Sequence, residues 1–271
     1  MNPSLTLSRH HIETFLACRH RFRLRYLERL PWPSTPPSVA DELALERGTQ
    51  FHQIVQRALL GLDPGPETAG DGVVSAWWEG FRAFASRLPQ GGRYPELALT
   101  VPVQVGANSH FLTGRFDLLV AGQRNGRPVA HIFDWKTSPP RDVQTLRRAW
   151  QTRFYLALLA EGGSALFGAP LAPEDISMTY WYAAEPDAPR VIDYDSARHR
   201  TNWAELTAIV AAMDACLESG EWPLTDDLER CRRCNYQTYD GRHEAGDPLS
   251  LDLDEDDFSP VESETLEPEW I

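Results

Sequence analysis

The chain has 271 residues, 42% apolar and 10% aromatic, with 39 Asp and Glu against 26 Lys and Arg. That length supports one large domain with its own core, and the net charge of −13 argues against a uniformly basic nucleic-acid binder. No stretch approaches the roughly 18 uninterrupted apolar residues of a membrane span, and "MNPSLTLSRHHIETF" lacks the apolar core of a signal peptide, so a cytoplasmic protein with no membrane association is expected.

The charge is unevenly placed. Residues 247–271 hold ten carboxylates and no Lys or Arg, leaving the remainder at −3, while residues 8–29 carry six arginines against two glutamates. Net charge alone therefore does not exclude DNA as a partner.

In chain order, residues 8–30 read as a helix with Ser8 as N-cap and Ile12, Phe15, Leu16, Phe22, Tyr26 and Leu30 on one face. "PWPSTPP" breaks the chain, and residues 40–61 form a second amphipathic helix in which Gly48 is a potential bend. A Gly/Pro-rich loop at 63–72 leads to a helix near 73–88. Three strand-like runs follow, "ELALTVPVQV", "HFLTGRFDLLVAG" and "RPVAHIFDWKTS", separated by Gly/Asn turns. A helix near 141–161, the strand "ISMTYWYAA", a short strand at 190–194 and a helix at 197–219 complete the pattern. This order predicts an α/β fold with a mixed central sheet flanked by helices. The domain is expected over 1–245, with 246–271 as an acidic, disordered tail.

Two carboxylates interrupt apolar strands: Asp117 in "TGRFDLLV" and Asp134 in "AHIFDWKTS". Burying a lone carboxylate is costly unless it is paired or bound to a cation. Neighbouring strands would bring the two together, and a divalent cation with a taste for oxygen ligands, Mg²⁺ or Mn²⁺, resolves their repulsion. Lys136, two residues after Asp134 and the only lysine in the chain, falls on the same side of the strand. Its compact ammonium suits contact with a water and a phosphoryl oxygen better than a guanidinium does.

With these residues in place, the sequence resembles the PD-(D/E)xK nucleases, in particular RecB-type nuclease domains and CRISPR-associated iron–sulfur exonucleases. Asp117 and Asp134-Trp135-Lys136 match the signature, and "RGTQFHQIV" matches the preceding helix that carries a histidine, here His52. "QTRFY" matches the Gln-x-x-x-Tyr helix with Gln151 and Tyr155, and "LSRHHIETFLACRHRFRLRYL" matches the N-terminal element. The resemblance implies a restriction-endonuclease-like core with the N-terminal helix and a C-terminal cysteine loop packed together. It implies a metal held by His52, Asp117, Asp134 and the Trp135 carbonyl, with Lys136 orienting water and Gln151 and Tyr155 positioning the strand. Glu96 is an accessory acid in this scheme. The implied reaction is phosphodiester hydrolysis, exonucleolytic on single-stranded or end-accessible DNA, in recombination, repair or defence. The Arg-rich N-terminal element would add backbone-phosphate contacts.

The resemblance also implies a [4Fe–4S] cluster held by Cys18, Cys231, Cys234 and one further cysteine, but that last position is Asp240. Asp240 as an unusual fourth ligand, Cys216 as a substitute, and free thiols with no cluster are three open readings; zinc is the alternative metal for Cys-x-x-Cys. The acidic tail ends in "LEPEWI", physically similar to the apolar-tipped tails with which single-strand-binding proteins recruit repair enzymes. It could dock on such a partner or screen the DNA groove. The chain contains no G-x-x-x-x-G-K-[ST] loop, so unwinding would come from a helicase in trans. The competing functional class is a non-catalytic DNA-binding or scaffold subunit of a helicase–nuclease or defence complex.

Overall fold

The alternating runs around Asp117 and Asp134 become the middle of a six-stranded mixed sheet in the computed structural model, which describes residues 2–31, 38–65 and 71–246. The strands are β1 (Thr6–Leu7), β2 (Gly92–Val105), β3 (Asn108–Arg124), β4 (Arg127–Lys136), β5 (Ile176–Tyr182) and β6 (Arg190–Asp193). The helices are α1 (Arg9–Ala17), α2 (Arg19–Phe22), α3 (Val39–Leu59), α4 (Gly72–Ala85), α5 (Val143–Arg148), α6 (Trp150–Phe167), α7 (Ser196–Ser219) and α8 (Leu228–Arg232). This is the flanked mixed sheet that the alternation of strand and helix signals predicts.

β3 organises the sheet. β2 runs antiparallel along almost all of one edge, from Gly92 opposite Ala121 to Val105 opposite Asn108. The other edge is shared: β1 pairs in parallel at Phe111 and Leu112, and β4 pairs antiparallel from Leu118 opposite Phe133 to the hairpin turn. Residues 113–117 lie between these two ladders, so the sheet is open along that edge beside Asp117. β4 continues past its ladder with β3 and pairs in parallel with β5. The connection between them passes through α5 and α6, a crossover unit of the kind parallel strands require. Every residue of β5 is buried, as expected of a strand covered on both faces.

Each face of the sheet has its own apolar layer. On one, Phe116, Leu119, Ile132, Met178 and Tyr180 pack with Phe15 of α1, Phe154 and Leu158 of α6 and Val210 of α7. On the other, Leu118, Val120, Phe133, Trp135 and Trp181 pack with Phe51 and Val55 of α3 and Phe81 and Phe84 of α4.

The helices depart from expectation where tertiary demands override helical pattern. The helix expected over 8–30 breaks at Cys18, whose backbone is extended (φ −162°, ψ 119°), and its last turns, Arg23–Leu27, are π-helical. The helix expected over 141–161 is two helices, separated by Ala149 with φ −60° and ψ 141°. The short β1 and α8 carry no pattern long enough to read. α3 runs through Gly48 without interruption. The residues of the expected disordered tail from 247 onward lie outside the described residues. Among the described residues, no helix is long and apolar enough to cross a membrane.

Candidate active site

The reactive residues gather where β4 leaves β3. The ladder between these strands ends at Leu118 and Phe133, immediately before Asp117 and Asp134. Beyond that point the Trp135 N–H no longer meets a β3 carbonyl. It donates instead to Asp117 Oδ2 at 2.8 Å. The alternation of β3 also slips here: Phe116 and Leu119, three residues apart, pack in the same layer, while Leu118 faces the opposite one. On β2, Glu96 sits directly across this slip, between the pairs Pro95–Leu118 and Leu97–Phe116, with a left-handed backbone at φ 54°. A non-glycine residue in that region is uncommon and marks a local demand.

That distortion turns Glu96 and Asp117 toward one point, where His52 meets them from the helix layer. One atom each from His52, Glu96 and Asp117 lies within 4.8 Å of the others, an arrangement able to hold a metal ion. His52 arrives from α3, where its neighbour Phe51 is fully buried against the sheet, and its Nδ1 lies 3.7 Å from Asp117 Oδ2. Glu96 is steadied by Arg115, whose Nε is 2.9 Å from Glu96 Oε2. All three residues are half-buried.

Asp134 is held differently. Its side chain is only 4% exposed, and its two oxygens have separate partners. Gln151 Nε2 donates to Oδ1 at 2.7 Å, and Lys136 Nζ lies 3.1 Å from Oδ2. The expectation that Lys136 shares a side with Asp134 is therefore met. Gln151 reaches Asp134 from the first turn of α6, so in this structure it orients a carboxylate. Tyr155, one turn on, packs edge-to-face on Phe116 with ring centroids 5.2 Å apart. Gly114 makes this approach possible: a Cβ there would stand 3.0 Å from Leu158 Cδ2 and 3.2 Å from Tyr155 Cε1.

The sequence marks Glu96 only as an accessory acid, whereas the structure places it in the cluster with His52 and Asp117. Arg115, which fixes Glu96, carries no motif in the sequence; its cross-strand partner is Ala98, so it reaches Glu96 diagonally across the ladder. Trp135 contributes its N–H to Asp117, in addition to the carbonyl that the resemblance singled out.

A second constellation joins the chain ends. Cys18, Cys231, Cys234 and Asp240 line one small cavity together with Arg21 and Arg242. Cys18 reaches it because the helix breaks there: its Sγ caps α2 by accepting from the Arg21 N–H at 3.5 Å. Burial pushes the Cys231 and Cys234 thiols up, and the nearby Asp240 adds to the effect. Burial likewise pushes the Asp240 carboxyl up, although His20 Nε2 stands 3.3 Å from its Oδ1. Cys216 is not part of this set. It is buried in the apolar layer under α7, with Arg19 Nη1 3.9 Å from its sulfur.

The chain matches the model of the PD-(D/E)XK nuclease superfamily over residues 6–239. No curated protein matches it. Among solved structures, the Eubacterium rectale protein named "Putative exonuclease" aligns with a TM-score of 0.53 at 12% identity, covering 94% of this chain and 93% of that one. At that identity the likeness is one of fold. The structure of SSO0001 aligns with a TM-score of 0.41 at 13% identity, covering 88% and 86%.

Proposed function

The chain belongs to the PD-(D/E)XK nuclease superfamily, and from that premise we propose that it hydrolyses DNA phosphodiester bonds with a divalent cation, acting from accessible ends or on single strands. The observation that carries this reading is the pairing of Asp134 with both Lys136 and Gln151 beside the cluster of His52, Glu96 and Asp117. A non-catalytic scaffold has no physical need for a buried carboxylate, a lysine and three converging ligands at one strand end.

The donor set fits Mg²⁺ or Mn²⁺: carboxylate oxygens with one imidazole suit hard or borderline cations. His52, Glu96, Asp117 and Asp134 would hold it. When bound, such an ion supplies an acidified water and offsets charge on the phosphate. The remaining work falls to the chain. Gln151 spends its amide on Asp134 Oδ1, so that the carboxylate keeps one rotamer with Oδ2 turned to the reaction. Lys136 holds its ammonium 3.1 Å from that oxygen as an ion pair, from which its protons can reach the attacking water and a phosphate oxygen. The Trp135 N–H fixes Asp117 and with it the lateral position of His52. Tyr155, braced on Phe116, supports the substrate strand from the α6 side. The exonuclease assignment draws on the name of the Eubacterium rectale protein.

We assign Cys18, Cys231 and Cys234 to a metal centre that staples the N-terminal helices to the C-terminal loop, with Asp240 in the fourth position. Three sulfurs and a carboxylate lining one cavity are chemically competent ligands once deprotonated, and a [4Fe–4S] cluster is the group that the likeness of these cysteines to those of iron–sulfur exonucleases implies. Incubation of end-labelled single- and double-stranded DNA with Mg²⁺, Mn²⁺ or EDTA, beside Asp117→Asn, tests the main reading. Metal-dependent cleavage that the variant loses supports it; no wild-type cleavage with any metal, while DNA is still bound, points to the scaffold class.

A further inference from the structure

We propose that the cleft between α5, the first turns of α6, β6 and α7 is a phosphate-binding groove for the single DNA strand as it passes the reactive centre, with Arg147 and Arg148 as the cations that receive the phosphates. This deepens the nuclease reading and rests on it.

The cleft has a volume of about 290 Å³ and is lined by Arg147, Arg148, Arg153 and Arg198, against the two carboxylates Asp193 and Glu205. Four guanidinium groups around one cleft are unexpected in a chain of net charge −13. Two of them are engaged: Arg153 pairs with Glu205, and Arg198 lies 3.4 Å from Asp195 Oδ2 while donating to the Asp193 carbonyl at 2.9 Å. Arg147 and Arg148, at the exposed end of α5, have no carboxylate within ion-pairing distance among the described residues. Guanidinium forks match phosphate oxygens in geometry as well as charge.

The floor of the cleft is rigid before any ligand arrives. Arg153 stacks over the Trp150 ring at 4.2 Å and donates through Nε to Asn202 Oδ1 at 3.0 Å. Asn202 donates to the Tyr194 hydroxyl at 3.2 Å, and that hydroxyl meets His199 Nδ1 at 3.3 Å. His199 Nε2 lies 2.9 Å from Glu161 Oε1, so the phenol hydroxyl of Tyr194 joins a chain of contacts that runs from Arg153 back to α6. Burial pushes the Tyr194 phenol up to about 12, which keeps that proton in place. Side chains already ordered in this way lose little freedom on binding.

The position relative to the reactive centre selects the occupant. Gln151, which holds Asp134, and Thr152, which lines the cleft, are consecutive residues of α6. Successive helical residues point about 100° apart. The cleft and the reactive centre thus share the first turn of α6, which puts a strand bound at Asp134 within reach of the cleft. At about 290 Å³ the space is at the small end of ligand pockets and takes roughly one nucleotide unit of a single strand, not a duplex.

The test is fluorescence anisotropy of a 5′-labelled 20-nucleotide oligothymidylate in EDTA, across a salt series. It compares the wild type, Arg147→Glu/Arg148→Glu, and the control Arg124→Glu/Arg127→Glu at the β3–β4 turn, which changes net charge equally. The proposal expects the cleft variant to bind about tenfold or more weakly than the control at low salt, and its slope of log K against log salt to be shallower by about 1.4, roughly 0.7 for each lost contact. Equal affinity and slope in the two variants, or no binding by the wild type, overturns it. Cleavage with Mn²⁺ separates this from the parent reading. Wild-type cleavage with a cleft variant that binds like the control removes the groove alone. Binding that depends on the groove with no cleavage removes the nuclease reading alone.

Discussion

The Gln151 side chain donates to Asp134 Oδ1 at 2.7 Å while Lys136 occupies the other oxygen at 3.1 Å, so α6 and β4 together fix one buried carboxylate. The two strands that supply the acids do not suffice by themselves. The helix that follows them sets the conformation in which Asp134 faces its partners.

Gln151→Ala is therefore expected to lower activity by about 10- to 100-fold, in the manner of other residues that orient a metal ligand. The loss is expected to appear as a shift of the Mn²⁺ dependence, with DNA binding in EDTA retained. A Mn²⁺ titration of cleavage rate identical to that of the wild type would show that Asp134 keeps its orientation without this amide.

A second network, remote from the reactive residues, carries a stability prediction. His110 is fully buried, and its Nε2 is 3.1 Å from Asp214 Oδ1. Asn2 Nδ2 donates to the same oxygen at 2.8 Å, and Asn108 Nδ2 donates at 3.1 Å, tying the N-terminus and β3 to α7. Burial alone would raise Asp214, but these hydrogen bonds outweigh it and hold the carboxyl below its ordinary 3.8. A depressed carboxyl contributes stability that is present above the unfolded value and lost as pH falls through the lower folded value. Urea midpoints measured from pH 7 downward should fall more steeply below about pH 4 for the wild type than for Asp214→Asn. Asp214→Ala should cost about 3 kcal/mol at neutral pH, because it strands His110 and two amides. Parallel pH profiles for wild type and Asp214→Asn would contradict this assignment.

The cysteine centre makes a prediction about metal content. Protein purified without oxygen should contain iron with sulfide, or zinc, and Cys231→Ala should lose it together with thermal stability. Asp240→Cys, which supplies a fourth thiolate, should retain more metal through gel filtration with a chelator than the wild type does. If Cys231→Ala and the wild type hold the same metal, or neither holds any, the set is structural thiol only.

Much of this arrangement was legible in the sequence. Strands β2 to β4 declare themselves by alternation, and Asp117 and Asp134 stand out because they break apolar runs. Four features were not legible. The left-handed backbone of Glu96 falls on a residue type that gives no hint of it, and the slip of alternation at Asp117 appears only once β2 and β4 are in register on either side. The breaks at Cys18 and Ala149 lack the Gly or Pro that usually signals a helix end. The cleft beside α6 assembles residues from 147 to 205, and no local spacing could announce it.

The account turns on the chain's only lysine, and the most direct measurement is single-turnover cleavage of end-labelled single-stranded DNA with Mn²⁺ by wild type, Lys136→Ala and Lys136→Arg. The account predicts that both variants fold and bind DNA in EDTA like the wild type, yet cleave at least about 100-fold more slowly, since a guanidinium cannot replace a compact ammonium between Asp134 and a phosphate oxygen. Wild-type rates in Lys136→Ala, with EDTA still abolishing the reaction, would show that cleavage arises elsewhere in the protein and would contradict the account.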